Sequence, residues 1–85
     1  MIAPTVHLNG TGREELERQL RVAYEALGAA LVLMADAAPH GRDYYPQGTA
    51  AYLEAALGHQ RRVKAVSDSR DELLQIFDAI QEATR

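Results

Sequence analysis

The residue types best suited to chemistry in this 85-residue sequence are concentrated in one segment, Arg42-Asp43-Tyr44-Tyr45-Pro46. Two adjacent tyrosines can stack on a planar ring and donate hydroxyl groups, and an arginine can fork onto a phosphate or a carboxylate. A structural interpretation stands beside this one: both rings would fold over the end of a helical hairpin, with Arg42 paired to Asp43 or to the last carbonyls of the first helix. The composition leaves both open, although loops carry function more often than cores do.

Two further clusters could bind an anion. The turn His7-Leu8-Asn9-Gly10-Thr11-Gly12-Arg13 combines glycines, free backbone N–H groups and an arginine ahead of a helix. It lacks the spacing of a phosphate-binding P-loop, so an ordinary helix N-cap is favoured. The mid-helix residues Arg61, Arg62 and Lys64 could meet phosphate brought in by a neighbouring chain, but a solvated face with ion pairs is favoured there.

Catalytic and metal chemistry has little support from residue spacing. His7, His40 and His59 lack the spacing of a zinc-binding motif, and no serine lies in a nucleophile elbow. The sequence has no cysteine, which excludes disulfides and thiolate metal sites. Two long helices also enclose little volume for a dry site. We therefore expect a protein that is not an enzyme and that has no metal ion and no cofactor.

Length and charge limit the architecture and the partners. A chain of 85 residues makes one domain, whose own core supplies little net stability. The formal net charge of −3 argues against non-specific nucleic-acid binding, which needs a basic face. No signal-peptide pattern is visible, and the most apolar stretch, residues 26–38, is too short to span a bilayer and contains Asp36. These observations predict a cytoplasmic protein with no membrane partner and no nucleic-acid partner.

The first long helix is predicted over about residues 12–38, after an arm of residues 1–10. Thr11 with Glu14 three residues later has the spacing of a capping box, and Pro39 stops the helix. Apolar residues at mainly alternating steps of four and three define a helix-pairing seam: Leu16, Leu20, Ala23, Leu27, Ala30, Met34 and Ala38.

The second helix is predicted over about residues 49–83, after a loop of residues 39–48, with Thr49 as its N-cap. Its seam reads Tyr52, Ala56, His59, Val63, Val66, Arg70, Leu73, Phe77 and Ile80. Ser69 with Glu72 has the spacing of a second capping box, which would break the helix. The unbroken rhythm of the seam favours one continuous helix of about 35 residues, or about 50 Å.

These elements predict an all-α fold: an antiparallel two-helix hairpin with a short N-terminal arm, in a single domain of residues 1–85. Because the second helix is longer, its C-terminal end should overhang the first helix. The arm residues Val6 and Leu8 should then cover Phe77 and Ile80 in the overhang.

An excess of apolar surface predicts a homo-oligomer. Residues 31–33, Leu-Val-Leu, put apolar groups around most of the first helix, and one partner helix covers only one stripe. His59 and Arg70 lie in the apolar seam, where polar groups need partners when buried. They either fix register or oligomeric state, or they line a polar pocket.

The loop and its surroundings resemble a group of small helical-hairpin proteins, encoded by bacteriophages and prophages, that have no assigned activity. The resemblance rests on three segments, the start His7-Leu8-Asn9-Gly10-Thr11, a first helix ending in Ala38-Pro39, and the loop Gly41-Arg42-Asp43-Tyr44-Tyr45-Pro46-Gln47. It covers most of the chain, and it implies a viral or prophage source and nothing about catalysis. In shape alone, the chain is also similar to phage anti-defence proteins, short oligomeric helical hairpins that sequester nucleotide second messengers of bacterial immunity.

Two functions follow as hypotheses. In the first, the protein is a non-enzymatic anti-defence sponge that sequesters a small nucleotide-derived immune signal in the cytoplasm of the bacterial host. Its tyrosines would stack on a base, and arginines, some from a neighbouring chain, would hold phosphates; the expected ligand-binding residues are Arg42, Asp43, Tyr44, Tyr45, Arg13, Arg61 and Arg62. In the second, the chain is a small helical interaction or adaptor module with no small-molecule ligand, and the loop contacts a host or virion protein.

Overall fold

Two long antiparallel helices make up most of the fold. The structure, a computed structural model, describes residues 1–84. In these residues helix α1 spans Arg13–Asp36, the short helix α2 spans Gly41–Tyr44, a 3₁₀ turn spans Tyr45–Gln47, and helix α3 spans Thr49–Ala83. α1 packs along α3, and the described residues contain no strand. The prediction of an all-α fold is therefore confirmed.

The start of α1 is capped differently from the sequence prediction. Gly12, with φ −67° and ψ 156°, is the N-cap, and no side chain caps the helix. The predicted capping box of Thr11 and Glu14 is therefore wrong. Glu14 and Glu15 instead lie in the first turn, where carboxylates interact favourably with the positive end of the helix dipole. The helix ends at Asp36, before the predicted end at residue 38.

α3 is one uninterrupted helix. It continues through Ser69 and Glu72, so these residues do not form a second capping box. Its N-cap is Gly48, in place of the predicted Thr49, which is already the first helical residue. Gly48 has φ +99°, a conformation that glycine adopts freely and that strains other residues. This residue lets the chain leave the 3₁₀ turn and enter α3 without a side-chain clash.

The two long helices end at about the same level away from the loop. Leu20 and Phe77 line the same groove and are therefore at the same level. Leu20 lies seven residues after the start of α1, and Phe77 lies six residues before the end of α3. The predicted overhang of the C-terminal end of α3 is therefore wrong. The extra length lies at the loop end, where α2 and the 3₁₀ turn pack against α3. The loop is long because it lies along this extra length, about 16 Å for the 11 residues by which α3 exceeds α1.

The hairpin buries very little side-chain surface. Ile80, at 1% exposed, is the only buried residue among those that the structure describes. The radius of gyration is 18.5 Å, against about 12 Å for a compact domain of 85 residues. The accessible surface is 6342 Å², against about 5,000 Å² for a compact chain of 9.3 kDa. A single copy thus leaves more surface in water than a monomer of this mass normally does.

The N-terminal arm covers less of the hairpin than predicted. Val6 is half-buried, but Leu8 is 98% exposed and Ile2 is 94% exposed. The prediction that Leu8 covers the end of α3 is therefore wrong. The arm closes with a turn, in which the Gly10 N–H donates to the carbonyl oxygen of His7 at 3.1 Å.

Candidate functional site

The two adjacent tyrosines of the loop lie in different environments. Tyr44 is half-buried, and its ring centroid lies 6.4 Å from that of Tyr52, with the rings tilted by 55°. This is a favourable aromatic contact, and it attaches the loop to α3. Tyr45, in contrast, is 78% exposed. Tyr44 therefore serves the fold as a cap on the hairpin, whereas the ring of Tyr45 is accessible to another molecule.

Arg42 and Asp43 are exposed next to these rings. Three ion pairs form among residues 1–84, and each lies within one of the long helices. Arg42 therefore does not form the pair with Asp43 that the structural interpretation of the loop predicted. The backbone N–H of Asp43 donates to the carbonyl oxygen of His40 at 3.0 Å, which starts α2. Neither the Arg42 nor the Asp43 side chain has a hydrogen-bond partner in the described part of the chain. One guanidinium and one carboxylate are thus available within three residues of Tyr45, although neither residue lines the groove that contains Tyr45.

Two shallow grooves flank the turn that leads into α3. The first, of about 220 Å³, is lined by Gly41, Tyr45, Gly48, Thr49 and Tyr52. The second, of about 380 Å³, is lined by Gln47, Ala51, Glu54, Ala55, Gly58, Arg61 and Arg62. The structure thus brings the predicted Arg61 and Arg62 to a groove that begins at the 3₁₀ turn, although Glu54 adds a carboxylate to it. Sites that enclose drug-sized ligands measure about 300–1,000 Å³. The first groove is smaller than this, and the second, although within this range, is open to solvent along its length, so one chain alone does not enclose such a ligand here.

Arg13 lies far from the other predicted ligand-binding residues. It is the first residue of α1, and α1 has 24 residues, so about 36 Å separate it from the helix end that leads into the loop. It forms an ion pair with Glu17. An open groove surrounds it, in which three carboxylates accompany three arginines: Gly12, Arg13, Glu14, Glu15, Glu17, Arg18 and Arg21. Within one chain Arg13 cannot meet Arg42, and its surroundings favour ion pairs over a bound anion.

Ion pairs occupy several charges of the long helices. Arg18 donates to the Glu15 carboxylate at 2.7 and 2.9 Å, and Gln19 donates to it at 2.9 Å. The hydrogen bonds from Arg18, and next from Gln19, lower the pKa of Glu15 from 4.5 to about 2, and the pairing raises the pKa of Arg18. On α3, Lys64 donates to Asp68 at 2.7 Å, which raises the pKa of Lys64. In the loop half of the described chain, three arginines have no ion-pair partner: Arg42, Arg61 and Arg62.

The two polar residues of the α3 seam are satisfied to different degrees. The Arg70 guanidinium carbon lies 3.8 Å from the ring centroid of Tyr24, and Arg70 Nε donates to the Tyr24 carbonyl oxygen at 3.2 Å. Gly28 leaves room for this side chain, because a Cβ at that position would lie 3.0 Å from Arg70 Nη2. His59 Nε2 is buried with no hydrogen-bond partner among residues 1–84. Sequence reasoning identified both seam residues but missed Tyr24 and Gly28, because neither is in the apolar seam.

The described residues contain no group of three or more His, Cys, Asp and Glu side chains that could hold a metal ion. Across residues 1–84, no single helix is long and apolar enough to cross a membrane; α1 and the segment Gly41–Gln47 meet the length and composition criteria only together, across a bend of 63°.

No protein-family model, curated protein or solved structure gives a significant match to the chain. The loop and the helix surfaces are therefore the features that bear on function.

Proposed function

We propose that this chain is a non-enzymatic binding protein that sequesters a small nucleotide-derived molecule at its loop, and that it acts as a homo-oligomer. One observation carries the proposal: the fold uses Tyr44 to attach the loop, yet it leaves the adjacent Tyr45 78% exposed and leaves Arg42, three residues earlier, unpaired. A ring and a guanidinium that their own fold does not use are the two groups needed to bind a base and a phosphate.

The proposed chemistry assigns a separate contact to each group. Tyr45 stacks on the base, a contact worth about 1–3 kcal/mol. Arg42 forks onto a phosphate, and Arg61 and Arg62 provide positive charge for a second phosphate at the adjoining groove. The Asp43 carboxylate accepts a hydrogen bond from an amino or hydroxyl group of the ligand. These contacts retain a ligand without cleaving it, since none of these groups forms a nucleophile–base pair.

The proposed biological role follows from the resemblance to small phage and prophage helical-hairpin proteins. A phage or prophage source makes a nucleotide signal of bacterial immunity the natural target of a protein that binds without catalysis. Such a protein acts by mass action, so its concentration divided by its dissociation constant must exceed the same ratio for the host receptor of the signal. A site completed by a neighbouring copy, with further arginines, serves this requirement because one chain alone does not enclose a ligand.

The experiment is a melting and titration series with a panel of cyclic nucleotides and ADP-ribose derivatives. A ligand at 100 times its dissociation constant adds about 2.7 kcal/mol of stability and raises the melting temperature. Tyr45→Ala and Arg42→Ala should each weaken binding ten-fold or more with an unchanged melting curve in the absence of ligand. Tyr45→Phe is the matched control, because it keeps the stacking ring. The proposal is abandoned if the wild-type protein binds none of the panel more tightly than about millimolar.

A second candidate, an adaptor module without a small ligand, is favoured by apolar surface beside the loop. Leu53 and Leu57 lie one turn apart on the first part of α3 and are 55% and 54% exposed. In this case no nucleotide raises the melting temperature, and Leu57→Glu abolishes binding of a host or virion protein while the helix content stays the same. The two candidates are separated by the nucleotide titration alone.

A further inference from the structure

α1 carries a second apolar stripe that the hairpin leaves uncovered. Val22, Ala26, Ala29 and Leu33 follow one another at steps of four, three and four residues, which puts them on one face of the helix. None of them belongs to the seam that packs on α3. All four are exposed, Val22 at 50% and Leu33 at 66%. The stripe thus has the spacing of a helix-pairing seam without a helix to pair with.

The surface left over by the single chain is large enough for an interface. Its 6342 Å² exceed the area of a compact chain of the same mass by about 1,300 Å². A stable protein–protein interface of standard size buries about 800 Å² on each partner. One interface of this kind along α1 would remove more than half of the excess exposed area.

We propose that this stripe pairs with the same stripe of a second copy of the chain, with the two α1 helices antiparallel about a two-fold axis between residues 27 and 28. Val22 then lies opposite Leu33 of the second copy, and Ala26 lies opposite Ala29. The order large, small, small, large reads the same in both directions, as a two-fold interface requires. The alanines let the helices approach at the centre, and the larger side chains fill the space toward the ends.

Charge also selects the antiparallel arrangement. Arg18 and Asp36 are exposed at the two ends of the stripe, and Asp36 has no partner within the described residues. Arg18 pairs with Glu15 through Nε and Nη2, which leaves its Nη1 donors for a further carboxylate. The antiparallel pairing brings Arg18 to within one residue of the level of Asp36 of the second copy, and symmetry repeats this contact. A parallel pairing would instead set Arg18 against Arg18 and Asp36 against Asp36, so like charges would oppose it.

The result is an antiparallel four-helix bundle in which the two α1 helices lie at the centre. This inference rests on the homo-oligomer of the proposed function and not on its ligand. The interface and the ligand are therefore tested by separate measurements, sedimentation or cross-linking for the first and nucleotide titration for the second.

Cross-linking tests the arrangement directly, because the chain has no cysteine of its own. Disulfides need Cα atoms closer than about 7 Å. The antiparallel pairing brings Val22 next to Leu33 of the second copy but keeps like positions about 16 Å apart along the axis. Oxidation should therefore convert V22C/L33C to a covalent dimer and leave V22C alone and L33C alone as monomers on a denaturing gel. A covalent dimer of V22C alone, or no cross-link in the double variant, would overturn the proposal.

Sedimentation of the unmodified protein supplies the second test. The wild type should sediment at twice 9.3 kDa or a multiple of it at micromolar concentration. Ala26→Glu with Ala29→Glu should weaken dimerisation at least about ten-fold, because unpaired carboxylates enter an apolar contact. Ala35→Glu is the matched control, an exposed alanine on the opposite side of the same helix. A monomeric wild type, or equal dimerisation of the stripe variant and the control, contradicts the interface. Nucleotide binding by a variant that does not dimerise, or loss of nucleotide binding in an intact dimer, bears on the ligand alone.

Discussion

Gly28 provides the sharpest test of how the two long helices are held in register. Glycine in a helix interior is less favourable than alanine by about 0.8–1.0 kcal/mol, so Gly28→Ala should stabilise α1 if helix propensity were the only factor. A Cβ at Gly28, however, would lie 3.0 Å from Arg70 Nη2, 3.1 Å from Nε and 3.3 Å from Cζ. The Arg70 side chain must therefore move away from the position in which it contacts Tyr24.

The cost of this movement is set by two contacts of Arg70. A cation over an aromatic ring is worth about 0.5–2 kcal/mol, depending on exposure, and the hydrogen bond to the Tyr24 carbonyl oxygen adds roughly 0.5–1.5 kcal/mol. The end of the side chain is flexible, so only part of this total is lost, about 1 kcal/mol. The loss offsets the gain in helix propensity. Gly28→Ala should therefore leave the free energy of unfolding almost unchanged.

A double-mutant cycle isolates the coupling between these residues. Gly28→Ala, Arg70→Met and the double variant are melted at one protein concentration, because melting of an oligomer depends on concentration. In the Arg70→Met background, Gly28→Ala should raise the melting temperature by about 4–8 °C, the effect of about 1 kcal/mol in a domain of this size.

Gly58→Ala is the matched control for this cycle. Gly58 lies inside α3, and a Cβ there would lie 3.4 Å from Arg62 Nη1, which is an ordinary contact. This variant should raise the melting temperature by about 4–8 °C in the wild-type background. The reasoning is refuted if Gly28→Ala stabilises the wild type as much as Gly58→Ala does, since Arg70 would then not depend on the missing Cβ.

Three further outcomes are expected. Ile80→Ala should lower the free energy of unfolding by about 2–5 kcal/mol and Ile80→Val by about 0.5–1.5 kcal/mol in urea titrations, because Ile80 is the one fully buried side chain of the described residues. The Glu15 carboxyl should titrate by NMR with a pKa of about 2, and Arg18→Gln should move this pKa back toward 4.5. Because folding lowers the pKa, the ionised Glu15 carboxylate stabilises the fold above about pH 4.5, and this stabilisation is lost as the pH falls toward 2. Tyr44→Ala should lower the melting temperature and Tyr45→Ala should not, since only the ring of Tyr44 packs on α3; equal melting of the two variants would contradict this difference.

Periodicity predicted the helices well because it records which residues face a partner. The seam that runs through residues 67–69 predicted one continuous α3, and the structure contains it. Helix ends were harder, because Thr11 and Gly12 both fit an N-cap, and the choice depends on the backbone path of the arm. The register of the two long helices also could not be predicted from the sequence. Helix lengths show that α3 extends past α1, but contacts such as that of Arg70 with Tyr24 decide at which end.

The loop illustrates what composition predicts and what it leaves open. Its residue types pointed to a candidate site, but adjacent tyrosines are equivalent in sequence. They become different only when Tyr52, eight residues after Tyr44, presents a ring to one of them. The length of the loop likewise suggested a function, whereas most of that length is needed to lie along the first part of α3. Tyr45 and Arg42, and not the loop as a whole, are therefore the residues that favour ligand binding.

The separation of Arg13 from the loop limits what assembly can add to the site. Arg13 starts α1, about 36 Å from the end of that helix in its own chain. The two-fold axis inferred between residues 27 and 28 reverses the second copy, so Arg13 comes to the level at which the second copy's loop begins, about 9 Å beyond the last residue of that copy's α1. Its side chain nevertheless leaves α1 on the side opposite the stripe, because nine residues, or two and a half turns, separate it from Val22. Its ion pair with Glu17 also balances its charge, so pairing of the two α1 helices does not bring Arg13 into the site. A ligand that contacts both copies through other residues would tighten the dimer by the same factor as the dimer tightens the ligand. Sedimentation with and without the nucleotide checks this reciprocity, and an unchanged dimer constant would place the whole site within one chain.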